Sequence, residues 1–421
     1  MSRIEAQRAL EALRNGVPNA DAVRKLGCMQ PEALDRFRKQ LEDMSAVPCD
    51  TEPQVVPGLL ISGGFGSGKS HTLSHFEIES LRRNFIVSRV VISKETPLHD
   101  PVRLFQSALR NTKLPDCRGS LMQELAGRID YRSPNAATFA EWVKHRQPHQ
   151  MLAASVCIHE QSRDPELKER MVNWWSGEKL DVRQIRDGLK ELEIRSNFVV
   201  KAVTLAALAP VRFEFAARLA RAAGYFGWVL LFDEVELISR YSLLQRARAY
   251  AEIARWMCAV PDQAIPGITA VAAITDDFDI EVLDNRQDRE KAPARLRQKG
   301  DVRSLAQEML ARIGIELIAG NAVRLHAPND DTLKLSFERL SDVYEEAYGH
   351  RSSRPASVPD DPVHRPMRSY VRRWISEWDL DRLYGERPHD VVEEATPGTD
   401  YTEDADFEAE TDAGGSVGAL Y

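Results

Sequence analysis

The stretch that most constrains this chain is GGFGSGKS, residues 63–70, which lies between an apolar run and an amphipathic helix pattern. It fits G-x-x-x-x-G-K-[ST], the pattern of a phosphate-binding loop, and the required strand before and helix after it are both predicted. Glycines let backbone N–H groups curl around phosphate oxygens, and the N-terminus of the following helix favours negative charge. The predicted ATP-binding residues are Gly63, Gly64, Phe65, Gly66, Ser67, Gly68, Lys69, Ser70 and His71.

Five apolar or β-branched runs alternate with helix-like stretches and predict the strands of one sheet. They cover residues 55–62, 85–93, 227–236, 267–275 and 322–325. Strands that alternate with helices build a parallel sheet whose two faces are covered by helices. The sequence therefore predicts an α/β fold of the P-loop NTPase class with a parallel five-stranded sheet.

The first 50 residues predict a helical segment of three short helices. Ser2 and Glu5 have the spacing of a capping box, Asn19 can cap the second helix, and Pro31 can open the third. Three such helices could form a DNA-reading helix-turn-helix, although helices of this kind more often pack against the next domain.

The rest of the chain divides by helix pattern and composition. Residues 51–329 predict the core, with a helical insertion at about 111–207, because a simple crossover between parallel strands needs far fewer residues. Residues 330–385 predict a C-terminal helical lid. The tryptophans of the insertion, Trp142, Trp174 and Trp175, are more typical of a core or interface than of a base-stacking platform.

The net charge of −8 is concentrated at the C-terminal end of the chain. Residues 386–421 hold eleven Asp and Glu and one Arg, so the remaining residues together carry about +2. Few apolar residues and an excess of like charge predict a disordered, solvating tail rather than a docking or DNA-mimic segment. The near-neutral body has no basic stripe that would by itself indicate DNA binding.

Two adjacent acids, Asp233 and Glu234, end the third strand run. A carboxylate at a strand tip opposite a phosphate loop can hold Mg²⁺ together with the Ser70 hydroxyl, while Lys69 reaches the outer phosphates. The second carboxylate can polarise the attacking water as a general base. We therefore predict Mg²⁺ binding by Ser70 and Asp233 and ATP hydrolysis with Glu234 as the base. A small-molecule kinase is disfavoured, because a water-activating glutamate would waste ATP.

Thr275 ends the fourth strand run, beside the expected phosphates. A hydroxyl there can sense the terminal phosphate or orient the water, although threonine is ordinary in strands. This order of motifs resembles the AAA+ branch of P-loop ATPases, including the initiator and loader clade. The resemblance puts the Walker A motif at Gly63–Ser70, the Walker B motif at Phe232–Glu234 and sensor 1 at Thr275.

The C-terminal helices and one charged loop extend this resemblance. Residues 330–349 look like the opening helix of the AAA+ lid, and residues 365–378 like the lid helix that carries sensor 2. Arg368 matches the sensor 2 position, with Arg372 next on the same helix face; a solvated helix face is the nearly equal alternative. The AAA+ arginine finger is harder to assign, with Arg295 and Arg297 as the candidates.

Those two arginines lie in residues 284–303, which carry seven Lys and Arg. This loop could supply the finger, contact DNA phosphates, or form an ordinary solvent-facing charge run, which is the commonest role of such blocks.

More narrowly, four stretches resemble the ATP-binding proteins of BREX phage-defence systems, particularly the BrxD family. They are ALEALRNGVPNADAVRKLG, GGFGSGKSH, RVVISKETPLHDP and RSYVRRWI, and the resemblance spans about residues 5–385. It implies a prokaryotic ATPase that works with double-stranded DNA and loads or regulates a helicase-like partner, with a homo-oligomer as a further expectation. It also implies that Asn15–Asn19 flank the adenine.

The cysteines, the histidines and the apolar runs of the sequence argue against a zinc protein and a membrane protein. The five cysteines are scattered and form no C-x-x-C, which favours reduced thiols and argues against a zinc site. His145 and His149 are four positions apart, as in a helical metal site, but Pro148 between them interrupts such a helix. No apolar run approaches the roughly 18 residues of a membrane helix, and we expect a cytoplasmic protein. The alternative to an ATPase is a nucleotide-gated assembly module, in which ATP binding rather than hydrolysis controls the partner.

Overall fold

A six-stranded sheet lies at the centre of the computed structural model, which describes residues 2–16, 19–115, 119–145, 150–194, 197–201, 203–351, 366–385 and 400–404. The strands are β1 (Leu59–Ser62), β2 (Ile86–Val91), β3 (Thr112–Lys113), β4 (Trp228–Asp233), β5 (Ile268–Ile274) and β6 (Val323–Arg324). Their order is β3-β2-β4-β5-β1-β6. All neighbouring pairs are parallel except β2 with β3.

The predicted α/β fold is therefore confirmed, and its sheet is compatible with the P-loop class. The predicted number of five strands is wrong, because β3 adds a sixth at the antiparallel edge. Two residues are too few to show the alternation by which a strand is recognised in a sequence.

Sixteen α-helices accompany the sheet within the described part of the chain. They are α1 (Arg3–Arg14), α2 (Ala20–Leu26), α3 (Pro31–Ser45), α4 (Lys69–Arg82), α5 (Pro101–Arg110), α6 (Leu121–Arg128), α7 (Pro134–His145), α8 (Gln150–Gln161), α9 (Pro165–Trp175), α10 (Val182–Glu191), α11 (Leu205–Ala222), α12 (Leu243–Trp256), α13 (Asp288–Arg297), α14 (Val302–Glu316), α15 (Asp330–Tyr348) and α16 (Met367–Tyr384). Among these described helices, none combines the length and the apolar content needed to cross a bilayer.

The first two helices begin where their capping residues predict, and the third begins at the predicted proline. Ser2 and Glu5 form a reciprocal capping box on α1, and the Asn19 side chain accepts a hydrogen bond from the Ala22 N–H at the start of α2. Pro31 is the first residue of α3. These caps satisfy backbone N–H groups that have no partner within a helix, so short helices begin at defined residues.

Two hydrophobic clusters cover the two faces of the sheet. On one face α3 and α4 pack on alternate strand residues, with the Phe37 and Phe76 rings stacked 4.1 Å apart. On the other face the opposite strand residues pack with α5 and α11–α14. Because side chains alternate across a strand, continuous apolar strands such as β4 and β5 are buried on both faces.

A third cluster joins the two ends of the chain. Apolar side chains of α1 and α2 pack with those of α15 and α16, around the buried Trp374. Arg14 on α1 also donates two hydrogen bonds to Asp379 on α16. The first two helices therefore belong structurally with the C-terminal helices, whereas α3 packs on the sheet.

The helices between β3 and β4 share the core of the sheet. Residues of α6–α11 belong to the same hydrophobic cluster as strand residues such as Leu230. Trp142, Trp174 and Trp175 are all buried there, and the Trp175 Nε1–H donates a hydrogen bond to Ser155 Oγ. The expectation that these tryptophans belong to a core is confirmed.

Candidate nucleotide-binding site

The loop at residues 63–68, called here the glycine loop, joins β1 directly to the N-terminus of α4. Gly66 and Gly68 have φ of +78° and +100°, a region that side-chain-bearing residues rarely adopt. A Cβ on Gly63 would lie 2.5 Å from Ser67 Oγ, so this position also has no room for a side chain. The loop is thus a tight backbone cradle at the positive end of a helix, the geometry that binds phosphate.

Lys69 is the first residue of α4, and its side chain folds back over the glycine loop. Its Nζ donates a hydrogen bond of 2.7 Å to the Gly63 carbonyl and lies 3.9 Å from Glu236 Oε1. The residue is only 9% exposed. An ammonium group buried at the centre of the loop is poised to exchange these carbonyl contacts for phosphate oxygens.

Ser70 and Asp233 come together across the carboxyl ends of β1 and β4. The Ser70 hydroxyl donates a hydrogen bond of 3.1 Å to Asp233 Oδ2. A hydroxyl and a buried carboxylate are the oxygen ligands that Mg²⁺ prefers, so these two residues fit a magnesium ion bound with a nucleotide. The structure brings these two predicted residues together, although they are 163 positions apart in the chain.

Arg89 on β2 is a neighbour of this pair that the sequence did not reveal. Its guanidinium donates to Asp233 Oδ2 at 2.5 Å and to Ser74 Oγ at 2.8 Å. A fixed positive charge therefore contacts the same carboxylate oxygen as Ser70. This contact neutralises the buried Asp233 and competes with any cation for that oxygen.

Glu234 follows β4 in a left-handed backbone conformation, with φ of +57°. Such a conformation is uncommon for a non-glycine residue and turns the chain sharply at the strand end. Burial, and then the charge of Asp233, raise the pKa of Glu234 above its ordinary value. A raised pKa makes the carboxylate a better proton acceptor, as a general base requires.

Glu236 is a second acid at this point that sequence reasoning missed. Burial raises its pKa to about 7, and the nearby Lys69 charge only partly opposes this shift. Its Oε1 lies 3.9 Å from Lys69 Nζ, and its Oε2 has no hydrogen-bond partner among the described residues. The sequence shows Glu236 only as a third acid, two positions after Glu234. Such an acid is typical of an exposed turn after a strand and does not by itself indicate a site.

Thr275 directly follows β5 and is 3% exposed. Its hydroxyl lies 2.7 Å from the hydroxyl of Tyr401, which belongs to the C-terminal acidic segment. The neighbouring Asp276 carboxylate lies near Gly64, where an added Cβ would be 3.5 Å from Asp276 Oδ1. The residue after Thr275 thus lies near the glycine loop, whereas the Thr275 hydroxyl is engaged by another part of the chain.

Arg368 on α16 lies between the glycine loop and the N-terminal helices. Its guanidinium carbon lies 5.1 Å from the centre of the Phe65 ring, and its side chain is close to Gly16, where a Cβ would meet Arg368 Nε at 3.1 Å. Burial, and then the charge of Arg372, lower the pKa of Arg368. One arginine of α16 thus lies close to both the glycine loop and the end of the N-terminal helix α1.

The predicted adenine-flanking stretch, Asn15–Asn19, lies beside this arginine through Gly16, while residues 17 and 18 lie outside the described residues. Arg372 donates to the Arg14 carbonyl at 3.0 Å instead of facing solvent. His71 forms a hydrogen bond of 2.7 Å between its Nε2 and the Gly27 carbonyl. That contact attaches the first turn of α4 to the end of α2.

The remaining candidates lie away from the loop or have other partners. Arg297 is paired with Glu308, and Arg295 is exposed with a 3.3 Å contact to Gln298. Within the described ranges no group of three His, Cys, Asp or Glu could hold a metal ion. The described cysteines, Cys28, Cys49, Cys157 and Cys258, are free thiols, whereas Cys117 and His149 lie outside the described residues.

A sheet compatible with the P-loop fold, a glycine cradle at a helix N-terminus and a serine–aspartate pair define a nucleotide-binding α/β protein. The chain belongs to the family described as BREX system ATP-binding protein BrxC/D, which it matches over residues 2–126 and 137–379. It is accordingly an ATP-binding protein of a BREX defence system. Comparison with curated proteins and with solved structures found no match.

Proposed function

We propose that this protein hydrolyses ATP at the glycine loop and uses the reaction to load or regulate a helicase-like partner on double-stranded DNA. The observation that carries the hydrolytic part is the 3.1 Å contact of Ser70 with Asp233 beside the buried Lys69. These three groups supply what phosphoryl transfer needs most, which is positioning and neutralisation of charge.

In the proposed site, the glycine loop N–H groups hold the phosphates and Lys69 releases the Gly63 carbonyl to contact the outer ones. Ser70 and Asp233 hold Mg²⁺, which when bound offsets negative charge on the phosphate oxygens. Phe65 and Gly66, at the exposed end of the loop, face α16. Arg368 from that helix adds a second positive charge above the nucleotide.

Glu234 is the base in this proposal. It directly follows Asp233, its pKa is raised by burial, and its left-handed backbone turns it away from the strand direction. Glu236 lies closer to Lys69, and we assign it the role of holding the lysine in place. The water oxygen attacks the terminal phosphorus as Glu234 takes a proton from it, and the bond to the bridging oxygen breaks, so that ADP leaves with that oxygen. Thr275 orients the water or the phosphate oxygen.

In this proposal, ATP hydrolysis changes the position of the C-terminal helices α15 and α16 relative to the sheet. Arg368 contacts the loop, and α15 and α16 share one hydrophobic cluster with α1 and α2. When the contact between Arg368 and the terminal phosphate is lost, this four-helix body is free to change its angle to the sheet. A partner or a neighbouring subunit can respond to that change.

The DNA and partner parts of the proposal rest on membership of a BREX defence family. Several arginines of the charged stretch at residues 284–303 pair within the chain, for example Arg289 with Asp284. Arg295 is exposed and is the candidate of this region for a contact to DNA phosphate or to the nucleotide of a neighbouring copy.

The test is steady-state ATP hydrolysis by the full chain, with and without double-stranded DNA, in the wild type and in Glu234→Gln. We expect turnover that DNA stimulates, and at least about a hundredfold loss in Glu234→Gln with ATP binding retained, as for removal of a general base. Glu281→Gln, an exposed acid, is the matched control and should behave as the wild type. Equal turnover in Glu234→Gln and the wild type would remove the base assignment, and equal rates with and without DNA would remove the DNA link.

The second candidate is a nucleotide-gated assembly module in which hydrolysis is incidental. Two contacts favour it: Arg89 is bonded to Asp233, and the Thr275 hydroxyl is engaged by Tyr401. This candidate predicts that Glu234→Gln keeps its cellular activity and that non-hydrolysable ATP supports partner binding as well as ATP does. Loss of cellular activity in Glu234→Gln, with folding and ATP binding intact, would count against it.

A further inference from the structure

Five residues of the acidic tail, Asp400–Asp404, lie against the core next to the candidate site. The Tyr401 ring packs against Phe278, with ring centres 6.1 Å apart, and is a partly buried member of the main hydrophobic cluster. The Asp404 N–H donates a hydrogen bond of 3.0 Å to the Arg240 carbonyl. The prediction of a solvated tail over residues 386–421 did not foresee this contact, and residues 386–399 and 405–421 lie outside the described part.

Three arginines from separate elements converge on this segment. Arg240 contacts Asp404 at 3.0 Å, Arg286 contacts Glu403 at 2.8 Å, and Arg246 also donates to Glu403. Arg286 additionally donates to the Tyr401 carbonyl at 2.7 Å. The segment is thus bound through backbone, ring and carboxylates together, which is more specific than a scattered set of surface ion pairs.

Arg246 and Arg286 are held in place by the core and not by the tail alone. Arg246 donates two hydrogen bonds to the buried Asp288, and Tyr250 donates to the same carboxylate. Arg286 donates to the Ser239 carbonyl at 2.8 Å. This preorganisation means that little side-chain entropy is lost when an acidic segment binds. Burial is the largest single influence and acts to raise the Glu403 pKa, but the hydrogen bonds and charges of Arg246 and Arg286 together outweigh it, so the pKa of Glu403 is lowered.

The Tyr401 hydroxyl couples this segment to Thr275. Tyr401 donates its one hydroxyl hydrogen to the Asp277 carboxylate, so the 2.7 Å contact with Thr275 must use the hydrogen of the threonine. A hydroxyl has a single donor hydrogen. Thr275 therefore cannot donate to Tyr401 and to a nucleotide phosphate at the same time.

We infer that Arg240, Arg246, Arg286 and the Thr275 hydroxyl form a docking surface for the chain's own segment Asp400–Asp404, and that this segment and the terminal phosphate of ATP exclude each other at Thr275. The second half rests on the proposed function, because it requires ATP at the glycine loop. The docked segment then weakens ATP binding, and bound ATP in turn displaces the segment.

Docking of the segment is tested on the full chain without nucleotide, by measuring the hydrogen-exchange rate of the Asp404 amide. Mass spectrometry of overlapping peptides that differ by Asp404 isolates the exchange of this one amide. We expect exchange at least about tenfold slower than for the same sequence unstructured, because the amide bonds to Arg240. Tyr401→Ala should return it to the unstructured rate, whereas Tyr384→Phe, at an exposed tyrosine, should not. Unstructured exchange at Asp404 in the wild type would overturn the docking.

Exclusion is tested by adding nucleotide to the same protein. A non-hydrolysable ATP analogue with Mg²⁺ should speed Asp404 exchange several-fold, whereas ADP, which lacks the terminal phosphate, should not. Tyr401→Phe keeps the ring packing and should bind the analogue about fivefold more tightly, with ADP affinity unchanged, because one competing hydrogen bond is gone. Unchanged Asp404 exchange with saturating analogue would overturn the exclusion. If no nucleotide binds, the proposed function and the exclusion fail together, while exchange without nucleotide still decides docking.

Discussion

Ser70 and Asp233 are 163 positions apart in the sequence, yet the Ser70 hydroxyl donates a hydrogen bond of 3.1 Å to Asp233 Oδ2. The parallel sheet brings the carboxyl ends of β1 and β4 to the same edge, on either side of β5. Ligands of open α/β sheets bind at that edge. The contact therefore joins the glycine loop and the acidic strand end into one site.

Removal of Arg89 should change how much magnesium the site needs. Because Arg89 contacts the carboxylate that we assign to Mg²⁺, Arg89→Ala removes a competing positive charge. We expect the Mg²⁺ concentration for half-maximal ATP binding to fall several-fold, measured by titration at fixed nucleotide. Arg83→Ala, at the residue that follows α4 and pairs with Glu42, is the control. A higher Mg²⁺ requirement in Arg89→Ala would show that this arginine supports the metal site.

Arg368 should matter for ATP in a way that its neighbour Arg373 does not. Arg368 lies over Phe65 beside the loop, whereas Arg373 on the same helix pairs with Glu377. We expect Arg368→Ala to lower ATP turnover at least about tenfold, the cost of one charge aimed at the transferring phosphoryl group. Arg373→Ala should stay within about twofold of the wild type. Equal ATP turnover in Arg368→Ala and Arg373→Ala would contradict a role of Arg368 in ATP hydrolysis.

Glu236 should make the fold less stable as pH rises. Its pKa is raised from 4.5 to about 7 in the folded protein, so the folded state holds the proton more tightly than the unfolded state. That contribution is complete below pH 4.5 and is lost as pH rises through about 7, by at most about 3 kcal/mol. Denaturant unfolding without nucleotide or Mg²⁺ should show this fall in the wild type and a smaller one in Glu236→Gln. Parallel pH profiles for the two proteins would contradict the assignment.

Gly314 should tolerate no side chain, because α14 touches α12 through it. A Cβ there would lie 1.9 Å from the Tyr250 carbonyl oxygen. Gly314→Ala must push these helices apart, and we expect a loss of about 2–3 kcal/mol in the free energy of unfolding. Gly320→Ala, where a Cβ meets no atom within 4 Å, should change it by less than about 1 kcal/mol. Similar losses in the two variants would contradict the close contact.

The sequence predicted those features of the fold and the site that are determined by a few residues adjacent in the chain. The glycine loop, the two adjacent acids where β4 ends and the caps of the first helices are patterns of a few consecutive residues. The coarse α/β fold followed from the alternation of strand and helix patterns. These features need no knowledge of which distant residues meet.

Contacts between distant segments could not be predicted in this way. Arg89 reads as a polar residue of a strand, and Glu236 as an ordinary acid after a motif. Tyr401 lies in an acidic, apolar-poor tail, a composition typical of solvated chain, and only the folded structure brings it to Thr275. The packing of α1 and α2 with α15 and α16 is likewise a tertiary property.

Equilibrium ATP binding by Lys69→Ala tests most directly whether the glycine loop binds the phosphates of ATP. Lys39→Ala, at an exposed lysine paired with Asp43, is the matched control. We predict that Lys69→Ala weakens ATP binding at least about tenfold, the cost of a lost charge-assisted contact, while Lys39→Ala binds as the wild type. ATP binding of wild-type strength in folded Lys69→Ala would contradict phosphate binding by the glycine loop.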